Sequence, residues 1–146
     1  MCEPREIAAG ETKLAWLAIR ELRPHVASAE ELVERVDGRQ RAEGYRLIGC
    51  FVEGEDQAVA VAGFRVGHNL PDGHHLYVDD LVTQEPFRGQ GHAGHLMDWM
   101  RQEALRLGCV SLQLDSAVGP ERQAAHRFYF GKGMRITAYH FELELS

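Results

Sequence analysis

Between the two halves of the chain lies the run Arg88, Gly89, Gln90, Gly91, His92, Ala93, Gly94. Its glycines let backbone amides come close to a ligand, and unpaired amides at a helix start favour an anion such as a pyrophosphate. Arg88 adds a planar cationic fork able to close on the same anion. The plain alternative is a helix lead-in whose glycines serve only the turn. Upstream, Asp79 and Asp80 stand side by side. Adjacent strand residues point to opposite faces unless a bulge intervenes, so one carboxylate is expected to face a cleft. The competing reading makes each a solvated strand end or the partner of Arg46 or Arg65. His75 is a further candidate base. His92 and His95 share a helical face, but no third ligand has convincing spacing, and no metal is expected.

The elements that must position these residues follow from hydrophobic period. Leu14, Leu17, Ala18 and Leu22 share a helical face that Pro24 ends. Ser28 with Glu31 three residues on is a capping box, opening a second helix with Leu32, Val33 and Val36 on its stripe. From Tyr45 to Phe51 the period becomes two, and it repeats over Ala58–Val66 and His75–Thr83. The intervening Gly54-Glu55-Asp56 and Asn69–Gly73 are turn chemistry, so an antiparallel meander is expected. Ala93, Leu96, Met97, Met100, Ala104 and Leu107 form a long helical stripe stopped at Gly108. A short strand over Val110–Leu114, a helix from Pro120 to about Lys132 and a final strand over Ile136–Leu145 complete the order. A strand preceding the first helix is obscure, Glu6–Ala8 being the one candidate.

Composition narrows the function. The 146 residues are 45% apolar and 26% charged, which suits one globular domain spanning 1–146 and excludes whole-chain disorder. A net charge of −6 without a basic run argues against nucleic acid and an anionic membrane as partners. Cys2, Cys50 and Cys109 are odd in number and lack a CxxC pair, so no disulfide and a reducing, cytoplasmic location are expected. No targeting segment or membrane span is legible.

Gly89, Gly91 and Gly94 also spell GxGxxG, and Asp115 ends a strand farther on, as in a dinucleotide-binding unit. The context is wrong for it. Gln84–Arg88 separates the strand from the first glycine, too little chain follows Asp115, and an antiparallel meander does not build a doubly wound parallel sheet.

Arg88, Gly91 and Ala93 instead match R-x-x-G-x-G/A, and the segment resembles the pyrophosphate motif of the GNAT superfamily of acetyl-CoA-dependent N-acetyltransferases. A second segment, Ala125 to Met134 with Phe128, Tyr129 and Gly133, is similar to the family's A-x-x-F-Y-x-x-x-G-F, with Met134 in place of the usual Phe. One helix and one strand separate the two motifs, as in the family. The resemblance implies an α/β, mixed α+β fold: a splayed, mostly antiparallel sheet of about six to seven strands flanked by four helices.

It also implies roles. The backbone of Arg88–Gly94 would hold the pyrophosphate of acetyl-CoA. Leu81, Val82 and Thr83, on a strand bulged in the family, would offer their edge to the pantetheine arm. Ser116 stands where many members have an Asn that touches the cofactor, and His126 in the second motif joins the cofactor-binding set. Tyr129 matches the general acid, and Asp79 the base of members with an acidic pair, Asp80 being its neighbour. The acceptor would be a primary amine, of a small polar molecule, in a pocket formed by the loop around Arg23–Ser28, the 67–75 loop and the final strand. That strand also offers an edge for a homodimer. The alternatives are an acetyl-CoA sensor without chemistry and a protein or peptide N-acetyltransferase.

Overall fold

The alternating segments after Tyr45 fold as an antiparallel meander of β2 (Arg46–Cys50), β3 (Ala60–Asn69) and β4 (Gly73–Thr83). β1 (Pro4–Ile7) adds to β2 with Ile7 opposite Leu47, and β5 (Ser111–Leu114) follows β4, giving the order β1-β2-β3-β4-β5. The computed structural model describes residues 2–146. One compact unit runs to Gln113 and a second from Leu114 to Ser146.

Turn and cap chemistry set the element boundaries. At the β3–β4 hairpin the Asp72 amide donates to Asn69 Oδ1 at 2.7 Å, an Asx contact that stands in for a backbone turn bond. Ser28 caps α2 (Ala29–Arg35) by accepting from the Glu31 amide at 3.1 Å, and the Glu31 carboxylate accepts from the Ala27 amide at 3.0 Å. Gly108, with φ +77°, follows α3 (His92–Arg106) in the left-handed conformation expected of a C-terminal cap.

In the first unit the sheet is covered on both faces. Ala18 and Ile19 of α1 (Trp16–Leu22) and Leu32 of α2 pack with Leu47, Val61 and Val82. On the other face α3 buries Leu96, Met97, Met100 and Ala104, and Trp99 meets Phe64 with ring centroids 6.1 Å apart. Each fully buried Leu or Phe of this kind contributes roughly 1.5–3 kcal/mol, so these two layers carry the unit. Arg46 fastens β1, β2 and α3 together. It donates to Glu6 at 2.9 Å and meets Glu103 at 2.7 Å. Bonds from Arg106 first, and from Arg46, hold the Glu103 carboxyl down at about 2.

Three expectations are corrected. Residues 134–146 form no strand, and Phe141, Leu143 and Leu145 are 91%, 82% and 91% exposed. Alternation gives a segment a face, but a strand exists only against a paired edge. The described residues therefore hold five strands rather than six or seven, and no final strand exists to wall an acceptor pocket or pair across a dimer. Cys2 and Cys50 are joined in a disulfide, against the expectation of none. The pairing of Pro4 with Cys50 carries Cys2 to its partner, a proximity that a separation of 48 residues conceals. Among the described residues no helix is long and apolar enough to cross a membrane.

Candidate functional site

β3 and β4 pair one to one from Ala60 opposite Thr83 to Gly63 opposite Asp80, then resume at Phe64 opposite Val78. Asp79 is the extra residue of a β-bulge. The bulge exchanges faces. Val82 lies with Val61 on the α1/α2 side, and Asp80 stands opposite Gly63 on that side, whereas Val78 stands opposite Phe64, which packs on α3. Strict alternation would have put Leu76, Val78, Asp80 and Val82 on one face. Asp79 also reaches the α1/α2 side, where both its oxygens accept from Arg65, Nε to Oδ2 and Nη2 to Oδ1, at 2.7 Å each. Both carboxylates thus share a face, correcting the expectation that one alone would.

Asp80 is held from two directions. Arg23 Nε donates to its Oδ1 at 2.9 Å and the Tyr45 hydroxyl to its Oδ2 at 2.7 Å. Arg23, just past the end of α1, also donates through Nη2 to the Asp79 carbonyl at 2.8 Å, tying that segment to the bulge. Tyr45 is only 4% exposed. Burial, and then the Asp80 charge, pushes its phenol well above the ordinary range, so it is a permanent donor. Gly63 makes this possible, because a Cβ there would fall on the Tyr45 hydroxyl and ring. Sequence reasoning placed Arg23 in the acceptor loop but missed Tyr45. The signal available was a glycine inside a strand, which marks a bulge or a close approach.

The glycine loop is built differently. After the turn at Glu85–Phe87, Gly89 and Gly91 take φ +77° and +87°, and a Cβ at either would meet nothing within 4 Å. Gly91 begins α3 without a side-chain cap, so the first-turn amides, including those of His92, Ala93 and Gly94, receive no side-chain acceptor there. Open backbone donors at a helix start fit an anion. Arg88 is tied back, its Nε donating to the Thr83 carbonyl at 3.0 Å and Nη2 to Glu21 at 2.9 Å, while Gln90 is exposed. The His92 ring turns inward, and burial, then His95, lowers its basicity. Leu81, Val82 and Thr83 pair with Ala62, Val61 and Ala60 of β3. The residue leading into β5, Val110, donates to the His74 carbonyl at 2.8 Å, at the opposite end of β4.

In the second unit, His126 Nε2 lies 3.0 Å from Ser116 Oγ and 2.9 Å from the Ala117 carbonyl, so two expected cofactor residues meet. Tyr129, on α4 (Gln123–Gly131), packs edge-on against Phe128 with centroids 5.7 Å apart. Burial raises its phenol, with Arg122 pulling the other way, so it is protonated at neutral pH. In the first unit, His75 Nδ1 lies 3.0 Å from the Gly73 carbonyl, a local contact that leaves it apart from the carboxylate pair's hydrogen bonds.

An antiparallel, bulged meander with an open glycine loop after β4 is not the doubly wound parallel sheet of a dinucleotide-binding domain. The sequence matches the acetyltransferase (GNAT) family over residues 13–132, and the chain belongs to that family. It is 33% identical over 113 residues to an uncharacterized N-acetyltransferase, YhdJ, of Bacillus subtilis (strain 168), covering 77% of each chain. It is 31% identical over 64 residues to an aminoalkylphosphonate N-acetyltransferase of Salmonella typhimurium, 44% of this chain and 40% of that one. The fold matches the aminoglycoside N-acetyltransferase AAC(6')-Iy, solved in complex with CoA, with a TM-score of 0.82 at 14% identity over 99% of this chain and 94% of that one. The activity is acetyl-CoA-dependent N-acetyl transfer.

Proposed function

We propose that the chain acetylates the primary amine of a small polar molecule by direct attack, residues 1–146 acting as one N-acetyltransferase domain. The observation that carries this reading is the β4 bulge, which gathers Asp79, Asp80, Tyr45, Arg23 and Arg65 on one face. Two carboxylates matched by two guanidiniums make a polar surface suited to a small charged amine and unsuited to an apolar acyl acceptor. The relative named for aminoalkylphosphonate, a small polar amine, supports the same class.

Acetyl-CoA supplies the acetyl group as a thioester. The amides of Arg88–Gly94 bind its pyrophosphate and Leu81–Thr83 align the pantetheine arm; by the family resemblance Ser116 and His126 are also assigned to the cofactor. Asp80 is a positioning residue, since Tyr45 and Arg23 engage both of its oxygens. Asp79 takes the amine proton, directly or through water. Its partner Arg65 is half exposed, and such surface pairs are weak enough to rearrange as substrate binds. Tyr129, which burial keeps protonated at neutral pH, donates its phenolic proton to the departing thiolate.

The test is calorimetry with acetyl-CoA, followed by thiol release across polyamines, amino sugars, aminoalkylphosphonates and peptides. Tyr129→Phe is expected to lower turnover about 100-fold with acetyl-CoA affinity within about twofold. Arg88 is tied to Thr83 and Glu21 and does not point at the open amides, so Arg88→Ala acts by releasing the loop and is expected to weaken acetyl-CoA binding about tenfold. Equal losses of affinity in both variants overturn the division of roles, and binding without release on any amine favours the sensor.

A further inference from the structure

Cys2 leads into β1, Cys50 ends β2 and His92 opens α3, yet one ligand atom from each lies within 4.8 Å of the others. All three are buried, at 5%, 0% and 4% exposure. Neither His92 ring nitrogen has a hydrogen-bond partner. Buried polar atoms are almost always satisfied, and leaving one unpaired costs about 1–3 kcal/mol, so an imidazole in this state calls for a ligand. The sulfurs of Cys2 and Cys50 lie within 4.8 Å of a ring nitrogen and are the other ligand atoms of the group.

We propose that Cys2, Cys50 and His92, once the Cys2–Cys50 bond is reduced, form a site for one thiophilic metal ion, with monovalent copper the better match and zinc the other arm. The donor set is two sulfurs and one nitrogen, with no carboxylate, which disfavours magnesium, calcium and manganese. Metal–sulfur bonds near 2.3 Å and a metal–nitrogen bond near 2.0 Å in a trigonal plane place donors about 4 Å apart, so after reduction the two sulfurs part by about 2 Å from their bonded separation, while the imidazole already lies within 4.8 Å of both. Among the described residues no other His, Cys, Asp or Glu joins the group, and a three-donor site suits monovalent copper better than four-coordinate zinc. The third cysteine, Cys109, is outside the cluster.

The chemistry balances. Reduction takes two electrons and two protons from a dithiol reductant, which becomes a disulfide, and leaves two thiols. Metal binding forms two metal–sulfur bonds and releases both thiol protons to solvent. Because His92 directly follows Gly91, the ion would join the starts of β1 and α3 to the end of β2 beneath the glycine loop. This inference is independent of the acceptor assigned above.

The test uses the full chain, reduced and held without oxygen, titrated separately with monovalent copper against a chelating competitor and with zinc against a chelating dye. Native mass spectrometry is expected to show one bound ion with the loss of thiol protons. Cys2→Ser and His92→Gln are each expected to weaken binding at least tenfold, and Cys109→Ser to leave it unchanged. Which titration succeeds distinguishes copper from zinc. Absence of stoichiometric binding of either ion to the unmutated reduced protein overturns the proposal, as does unchanged binding in Cys2→Ser. The measurement on the unmutated chain decides even if a variant fails to fold.

Discussion

The glycine loop and the β4 bulge sit at successive places along the chain and solve opposite problems. At Arg88–Gly91 the useful groups are backbone amides, and the side chains are absent or turned away: Gly89 and Gly91 face open space and Arg88 is tied to Thr83 and Glu21. At Asp79–Asp80 the useful groups are side chains, and every carboxylate oxygen already accepts a bond from Arg65, Arg23 or Tyr45. One region presents open backbone donors; in the other the carboxylates are already engaged, Asp80 from two sides and Asp79 by a half-exposed arginine. A glycine therefore means different things in each. Gly91 serves a left-handed turn, with φ +87°, whereas Gly63 makes room for Tyr45.

Substitutions separate the two regions, taken here from the largest expected effect on stability to the smallest. Gly63→Ala forces Tyr45 off Asp80 in a packed layer. It is expected to destabilise the protein by about 3 kcal/mol, combining overpacking with a lost buried hydrogen bond, as measured by urea unfolding. A loss below about 1 kcal/mol would mean that Tyr45 can move freely and the bulge is not closed. Gly91→Ala strains a left-handed residue by about 1–2 kcal/mol, yet it is expected to weaken acetyl-CoA at least tenfold in calorimetry. Full affinity in that variant would remove the amide cradle from the binding account. Asp79→Asn breaks a partly exposed ion pair and is expected to change stability by less than about 1 kcal/mol while lowering turnover about 100-fold. Unchanged turnover would make Asp79 structural and shift the proton to another acceptor.

The glycine loop was legible because its information is local: residue types at fixed offsets after a strand and before a helix. The capping box at Ser28 and the stop at Gly108 were legible for the same reason. The strand over 136–145 was misread because alternation describes a face and says nothing about a partner. Tyr45 was missed because its role depends on Gly63 across the pairing of β2 with β3, and the sharing of one face by Asp79 and Asp80 depends on a register shift that neither strand shows alone.

The order of elements as far as α4, the meander, the glycine loop between strand and helix and the family motifs are properties of neighbours in the chain, and the sequence alone determined them through period, caps and backbone freedom. The pairing of Asp80 with Arg23 and Tyr45 spans 57 and 35 residues, and the meeting of Cys50 with His92 spans 42. Those contacts arise when strands register and helices cover the sheet, so only the tertiary structure decided them: burial and pairing act between residues that no local pattern relates.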